Sequence, residues 1–254
     1  MKIDLNCDMG ESFGPWPMGA DEQVMPHITS ANVACGAHAG DPVVMRRTVR
    51  MAKRAGVAVG AHPGFADLQG FGRREMIVDP AELEASLIAQ IGALSALARA
   101  EDTTLQHVKP HGALYNMAAR DRGLSDAIAR AVAAVDRRLI LFGLPNSPML
   151  DAARAAGLRV ASEGFADRSY QPDGSLTPRS RSGAVIHDVD AVVARAVRMA
   201  TEGVVLTADG DEVRLRVDTI CVHGDTPGAA ELVRRIRDGL RQASVSVGAA
   251  GEWL

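Results

Sequence analysis

The chain has 254 residues, 47% hydrophobic and 4% aromatic, with 28 Lys and Arg against 31 Asp and Glu for a formal charge of −3. Near-balanced charge, scattered basic residues and few aromatics give neither the field nor the stacking platform of a nucleic-acid binder. No apolar run reaches the roughly 18 residues of a spanning helix, so no membrane partner is expected. The length suits one large domain, residues 1–254. The opening MKIDLNCD lacks the basic and then apolar pattern of a signal peptide, and the three cysteines fit reduced thiols in a cytoplasmic protein.

In chain order, a first strand is expected at about 2–7 and a second at 29–35. Asp41-Pro42 then places a capping oxygen before a proline at the first helical position, and Gly56 suits a left-handed stop. A third strand spans about 57–61. Asp79-Pro80 opens the next helix, with Glu82 at capping-box spacing and Leu83, Leu87, Ile91, Leu94 and Ala98 as one apolar stripe. Strands follow at 104–109 and 139–143, a helix at Ser147-Pro148, and a strand at 158–162. A helix from Asp188 to Glu202 ends at Gly203. The runs 203–206 and 212–217 flank TADGD (207–211), whose Asp209-Gly210 signals a small β-hairpin insertion. A seventh strand at 217–222 precedes a helix start at Thr226-Pro227.

The seven strands read as near-continuous apolar runs, as strands covered on both faces do. Alternation with helices predicts an α/β fold, a β/α barrel with its chemistry at the carboxyl ends of the strands. Six runs end in ionisable clusters: LNCDMGE, NVACGAHAGD, VAVGAHPG, LQHVKPHGALYN, VASEGFADRSY and ICVHGD. The loops at 62–78 and 163–183, rich in Gly and Arg, exceed what connection requires and suit binding segments.

Asp8 and Glu11 close the first strand, with Asn6 before them; such carboxylates ligate metal, act as bases, or merely cap a turn. Asp8, His38 and His62 form a donor set suited to a divalent transition metal, the alternative being hydrogen bonding within a polar mouth. Lys109 offers a fixed charge for a carboxylate or phosphoryl oxygen, or a partner for an interior Glu. His111 offers a proton donor or acceptor, and Tyr115 follows a turn later. Glu163, Asp167 and Arg168 lie in one loop, Arg168 as a carboxylate clamp or a solvated ion pair. His223 and Asp225 close the seventh strand beside a helix start, and Arg73 adds charge to the same face. Cys7, Cys35 and Cys221 each sit at a strand end, where burial as small hydrophobes is the commoner duty.

Across DLNCDMGESFG (4–14), SANVACGAHAGDP (30–42), GAHPGFADLQGFGRREM (60–76), HVKPHGALYN (107–116), EGFADRSYQPDGSLTPR (163–179) and CVHGDTPGA (221–229), the chain closely resembles the LamB/YcsF family, that of the A component of the bacterial ATP-dependent 5-oxoprolinase. The resemblance implies a seven-stranded β/α barrel of the glycoside hydrolase/deacetylase type. It implies ATP-dependent opening of the lactam 5-oxo-L-proline to L-glutamate with partner subunits B and C. ATP, with its Mg2+, is then a cofactor, yet no GxxxxGK[ST] phosphate loop is present. Chemistry would then assign Asp8 or Glu163 as base toward water, His111 or His223 as proton donor to nitrogen, and Lys109 and Arg73 as oxygen holders. Asn6, Glu11, Tyr115, Arg168 and Asp225 complete the expected substrate contacts. Two other readings are a metal-dependent deacetylase or amidohydrolase acting alone, and a non-catalytic component that captures a small acid.

Overall fold

The structure, a computed structural model, describes residues 1–178, 181–222 and 228–254. In chain order the strands are β1 (Lys2–Met9), β2 (Ser30–Ala34), β3 (Ala58–His62), β4 (Leu105–Val108), β5 (Ile140–Gly143), β6 (Arg159–Phe165), β7 (Val204–Leu206), β8 (Glu212–Arg214), β9 (Thr219–Val222) and β10 (Ser246–Val247). β1, β2, β3, β4, β5, β6 and β9 pair in that order, all parallel, and β9 returns to β1. The sheet is a closed seven-stranded barrel. β10 adds to β1 outside it, and β7 with β8 forms the separate antiparallel hairpin expected around TADGD.

Around the barrel lie α1 (Asp21–Val24), α2 (Pro42–Ala55), α3 (Pro80–Ala100), α4 (Gly112–Ala118), α5 (Arg122–Val135), α6 (Pro148–Ala155), α7 (Val189–Glu202) and α8 (Ala229–Gln242). The capping signals act as expected. Asp41 accepts from Val43 and Val44 N–H, Asp79 from Ala81 and Glu82, Ser147 from Leu150, and Asp188 from Ala191. Gly56 and Gly203 end their helices at φ of 68° and 66°. The start expected at Thr226-Pro227 lies outside the described residues. α4 and α5 add to the expectation, α5 capped by Asp121. By length and composition α3 could cross a membrane, which corrects the sequence expectation that no run is long enough. Here its stripe of Leu83, Leu87, Ile91, Leu94 and Ala98 is buried in the core.

Alternation within the strands is the main departure from expectation. In β1, Ile3, Leu5, Cys7 and Met9 join the apolar core, whereas Asp4, Asn6 and Asp8 share the opposite face. That face is the barrel interior, because Asn6 reaches Glu163 at the end of β6 and Lys109 beyond β4, neither on a neighbouring strand. The interior is therefore a stacked polar column. At its floor Asp4 accepts hydrogen bonds from Thr29, Ser30 and Thr219 hydroxyls at 2.6, 2.7 and 2.5 Å. One layer up, Asn6 donates to Glu163 at 2.9 Å, Asn32 donates to Asn6 at 2.7 Å, and His107 Nε2 meets Asn32 Oδ1 at 2.8 Å. The strands read as apolar because every second residue is buried under helices, while the polar ones are equally buried inside.

Gly60 makes room for this column. A Cβ there would lie 2.1 Å from His107 Nε2, inside the ring's own volume. Gly60→Ala is expected to destabilise the fold by at least about 1–3 kcal/mol. Gly92→Ala, in α3 with nothing within 4 Å of the added carbon, should instead stabilise by roughly 0.5–1 kcal/mol. Urea unfolding of both variants checks the opposite signs.

Burial raises the Asp4 carboxyl from 3.8 to about 6, with the Thr219, Thr29 and Ser30 hydroxyls opposing. Between about pH 4 and 6 the folded chain keeps this proton while the unfolded chain has lost it. The group's stabilisation is thus complete below that window and is lost as pH rises through it, by on the order of 2–3 kcal/mol. Unfolding free energies measured across the window should fall less steeply for Asp4→Asn than for the parent chain.

Candidate active site

At the carboxyl end of the barrel the polar column culminates in the Lys109 ammonium. Lys109 follows β4 by one residue and shares the inward face with His107. Its Nζ lies 2.9 Å from Asp8 Oδ1, 3.0 Å from Glu163 Oε1, 3.3 Å from Asn6 Oδ1 and 3.0 Å from Cys221 Sγ. The Phe165 ring closes one side at 5.5 Å. Burial works against the ammonium, but Asp8, Cys221 and Glu163 outweigh it and hold Lys109 well above the usual lysine range. Burial likewise opposes the Asp8 carboxylate. The His62 and Lys109 charges, with hydrogen bonds from both, outweigh that and hold it well below the usual range. Asn32 also donates to Asp8 Oδ1 at 2.8 Å. Asp8 keeps 17% of its side-chain surface accessible, whereas Glu163 keeps none.

A second group adjoins the first through His62, whose Nε2 is 3.3 Å from Asp8 Oδ2. Glu11, His38, His62 and His111 offer four ligand atoms within 4.8 Å of one another. His38 and His62 are thus brought together as expected of metal donors. Asp8, the expected third donor, lies beside this group with Oδ2 3.3 Å from His62 Nε2 while its Oδ1 accepts from Lys109 and Asn32, and Glu11 and His111 complete the four. His111 is less suited than expected to deliver a proton. Its two ring nitrogens face His62 Nε2 and Phe71 O, and burial with the His62 charge lowers it to about 3. It is neutral near pH 7.

Tyr115 lies on α4 with its hydroxyl buried and without a hydrogen bond, like Glu163 Oε2. Burial, with the Glu163 charge nearby, holds the phenol protonated far above its ordinary range. Arg73 is exposed at the rim with its guanidinium 4.9 Å over the Phe71 ring. Arg168, expected as a clamp, is buried and donates to the Thr177 and Ala184 carbonyls, so it organises its own loop. His223 and Asp225 lie outside the described residues. Three members were missed from sequence. Asn32 could have been noticed as a polar residue inside the run SANVA. Cys221 shows in the sequence only as a strand-end thiol, and Phe71 enters through its carbonyl oxygen, which no side-chain pattern reveals.

A closed parallel barrel ringed by helices is a fold shared with glycoside-hydrolase and deacetylase barrels. A GH113 β-1,4-mannanase superposes with a TM-score of 0.51 at 10% identity, covering 94% of this chain and 99% of that one, a likeness of fold alone. The chain belongs to the LamB/YcsF family, whose profile it matches over residues 3–254. It is 57% identical over 250 residues to a protein from Symbiobacterium thermophilum named as the A component of 5-oxoprolinase, covering 98% of this chain and 96% of the relative. The crystal structure of a lactam utilization protein from Thermus thermophilus matches with a TM-score of 0.94 at 51% identity, over 98% of this chain and all of that one.

Lys109 neutralises buried carboxylates, so Lys109→Met should lower stability by about 3–5 kcal/mol. Arg154→Met, which removes an exposed pair with Asp151, should cost no more than about 1 kcal/mol. Adding Asp8→Asn to Lys109→Met should recover part of the loss. Denaturant midpoints of the parent, the two single variants at Lys109 and Asp8 and their double variant, treated as a cycle, measure the coupling.

Proposed function

We propose that this chain is the lactam-handling subunit of an ATP-dependent 5-oxoprolinase, opening 5-oxo-L-proline to L-glutamate. The observation that carries the reading is the end-to-end match to a relative of that name, 57% identical over 98% of this chain. The mouth is chemically suited to the task. A five-membered lactam presents an N–H and a C=O on one edge. Glu163 Oε2 and the Tyr115 hydroxyl, both buried and without hydrogen bonds, supply an acceptor and a donor for that edge. Lys109 and Arg73 supply positive charge for carboxylate or phosphoryl oxygens.

An unstrained amide opens slowly because its nitrogen leaves poorly. Phosphorylation of the carbonyl oxygen by ATP makes the ring carbon electrophilic. Water adds there, Asp8 taking its proton, and the C–N bond breaks as nitrogen is protonated. The acyl phosphate so formed loses phosphate to a second water, giving glutamate, ADP and phosphate. Asp8 is the better placed of the two expected carboxylates to act as base, since it alone keeps accessible surface. In this reading ATP and its Mg2+ arrive with partner subunits B and C, and dependence on ATP fits a cytoplasmic setting.

A second reading, metal-dependent amide hydrolysis by the chain alone, has one observation in its favour, the Glu11, His38, His62 and His111 group. Glutamate release from 5-oxoproline separates the two. The lactam reading expects release only with ATP and the partner subunits present; release by this chain alone without ATP would establish the second. Within the complex, Tyr115→Phe removes a hydroxyl that sits beside the Glu163 carboxylate. It should shift the melting temperature little while slowing turnover roughly 10–100-fold. Unchanged turnover would remove Tyr115 from the lactam edge.

A further inference from the structure

His62 Nε2 and His111 Nδ1 face each other at 2.9 Å. Each ring has its other nitrogen against a backbone carbonyl, His62 Nδ1 at 2.7 Å from Lys109 O and His111 Nε2 at 2.8 Å from Phe71 O. A carbonyl oxygen only accepts, so those outer nitrogens carry the ring hydrogens. With both rings neutral, two lone pairs are then aimed at one another in a buried setting, and Asp8 Oδ2 lies 3.3 Å from the same His62 Nε2. Such a contact is repulsive unless a cation occupies it, and the cation is either a shared proton or a metal ion.

The surroundings decide between them. His38 stacks on His111 with ring centroids 3.7 Å apart and planes 3° from parallel, and neither of its buried ring nitrogens has a hydrogen-bond partner. Glu11 Oε1 lies 4.0 Å from His38 Nε2 and 3.9 Å from His111 Nδ1. A proton on His62 Nε2 would serve His111 Nδ1 and Asp8 Oδ2 and leave His38 as it is. A metal ion would engage all four side chains. N–H bonds from the far side of a ligating imidazole to a carbonyl oxygen are also what fixes ring orientation and tautomer at metal centres.

We propose that Glu11, His38, His62 and His111 bind one divalent transition-metal ion of the zinc or cobalt kind. Three imidazoles and one carboxylate select such ions over magnesium or calcium, which prefer all-oxygen sites, so this ion differs from any that accompanies ATP. Tetrahedral zinc with bonds of about 2.0–2.1 Å sets its donor atoms roughly 3.4 Å apart. Donors already within 4.8 Å of one another reach that arrangement by side-chain shifts alone. The ion would clip together the segments that follow β1, β2 and β4 and the end of β3. Through the Phe71 carbonyl it would also hold the 62–78 loop over the mouth. Binding of this kind is independent of which substrate the barrel takes.

The test is metal binding by the full chain, stripped with dipicolinate and dialysed, then titrated with Zn2+ and with Co2+. One equivalent should bind, the melting temperature should climb with metal concentration, and Co2+ should develop visible d–d bands. His38→Gln removes a ring that makes no hydrogen bond in the chain, so it should fold while losing affinity by more than the roughly 10–100-fold typical of an outer-shell partner. Glu11→Gln should weaken binding as well. Three results would overturn the proposal: a folded parent chain that takes up neither ion, Mg2+ uptake in place of Zn2+, or parental affinity in His38→Gln. Glutamate release by the complex is measured separately, so metal binding and the lactam reaction stand or fall apart from each other.

Discussion

One buried ammonium governs the inside of this barrel. Lys109 is buried between Asp8, which keeps an accessible edge, and the fully buried Glu163, and its charge meets both carboxylates together with the amides of Asn32 and Asn6. Most barrels of this architecture fill the interior with layers of branched apolar side chains. Here the layers are hydroxyls, amides, imidazole and acids, joined from Asp4 at the floor to Asp8 at the mouth. A column of that kind is rigid in proportion to how completely it is satisfied. Its members bind one another across the barrel and so fix strand register as well as side-chain direction.

Most of the column is satisfied, with His107 Nδ1 an exception, and further unsatisfied atoms gather at the top. Glu163 Oε2, the Tyr115 hydroxyl and both His38 nitrogens are buried without hydrogen bonds, all close to the mouth. Unsatisfied polar atoms cost stability and persist where something outside the chain completes them. They divide into two places. The Glu163 and Tyr115 atoms adjoin Lys109 and suit a small polar ring; the His38 nitrogens belong to the imidazole group beside it. His62 and Asp8 join the two, so a change in the imidazole group is felt by the carboxylate that would activate water.

The long segment after β3 is not a free excursion. His111 Nε2 donates to its Phe71 carbonyl, Ala113 N–H to Gly72 O, and Gly64 exchanges bonds with Gln90 of α3. Gly72, at φ of 61°, passes so near His38 and His111 that an added Cβ would sit 2.8 Å from the first. Backbone is therefore part of the mouth, and the loop takes its shape from the histidines it covers.

Strand ends, helix caps and the hairpin were legible in the sequence because their causes are local: Asp41-Pro42 and Asp79-Pro80 signal helix starts by themselves, and Asp209-Gly210 signals a turn. That ionisable residues cluster at strand ends was equally visible, and with it the barrel and its mouth. Which of those residues meet was not. Asn6 and Lys109 are separated by 103 positions and Lys109 and Cys221 by 112, and only closure of the sheet places them within hydrogen-bond reach. The tertiary structure likewise put Glu11 and His111 with the histidines, turned Arg168 into its own loop, and gave Asp8 rather than Glu163 the accessible face. Sequence determines which way a side chain points along its own strand; the partner it finds depends on the curvature and register of six other strands.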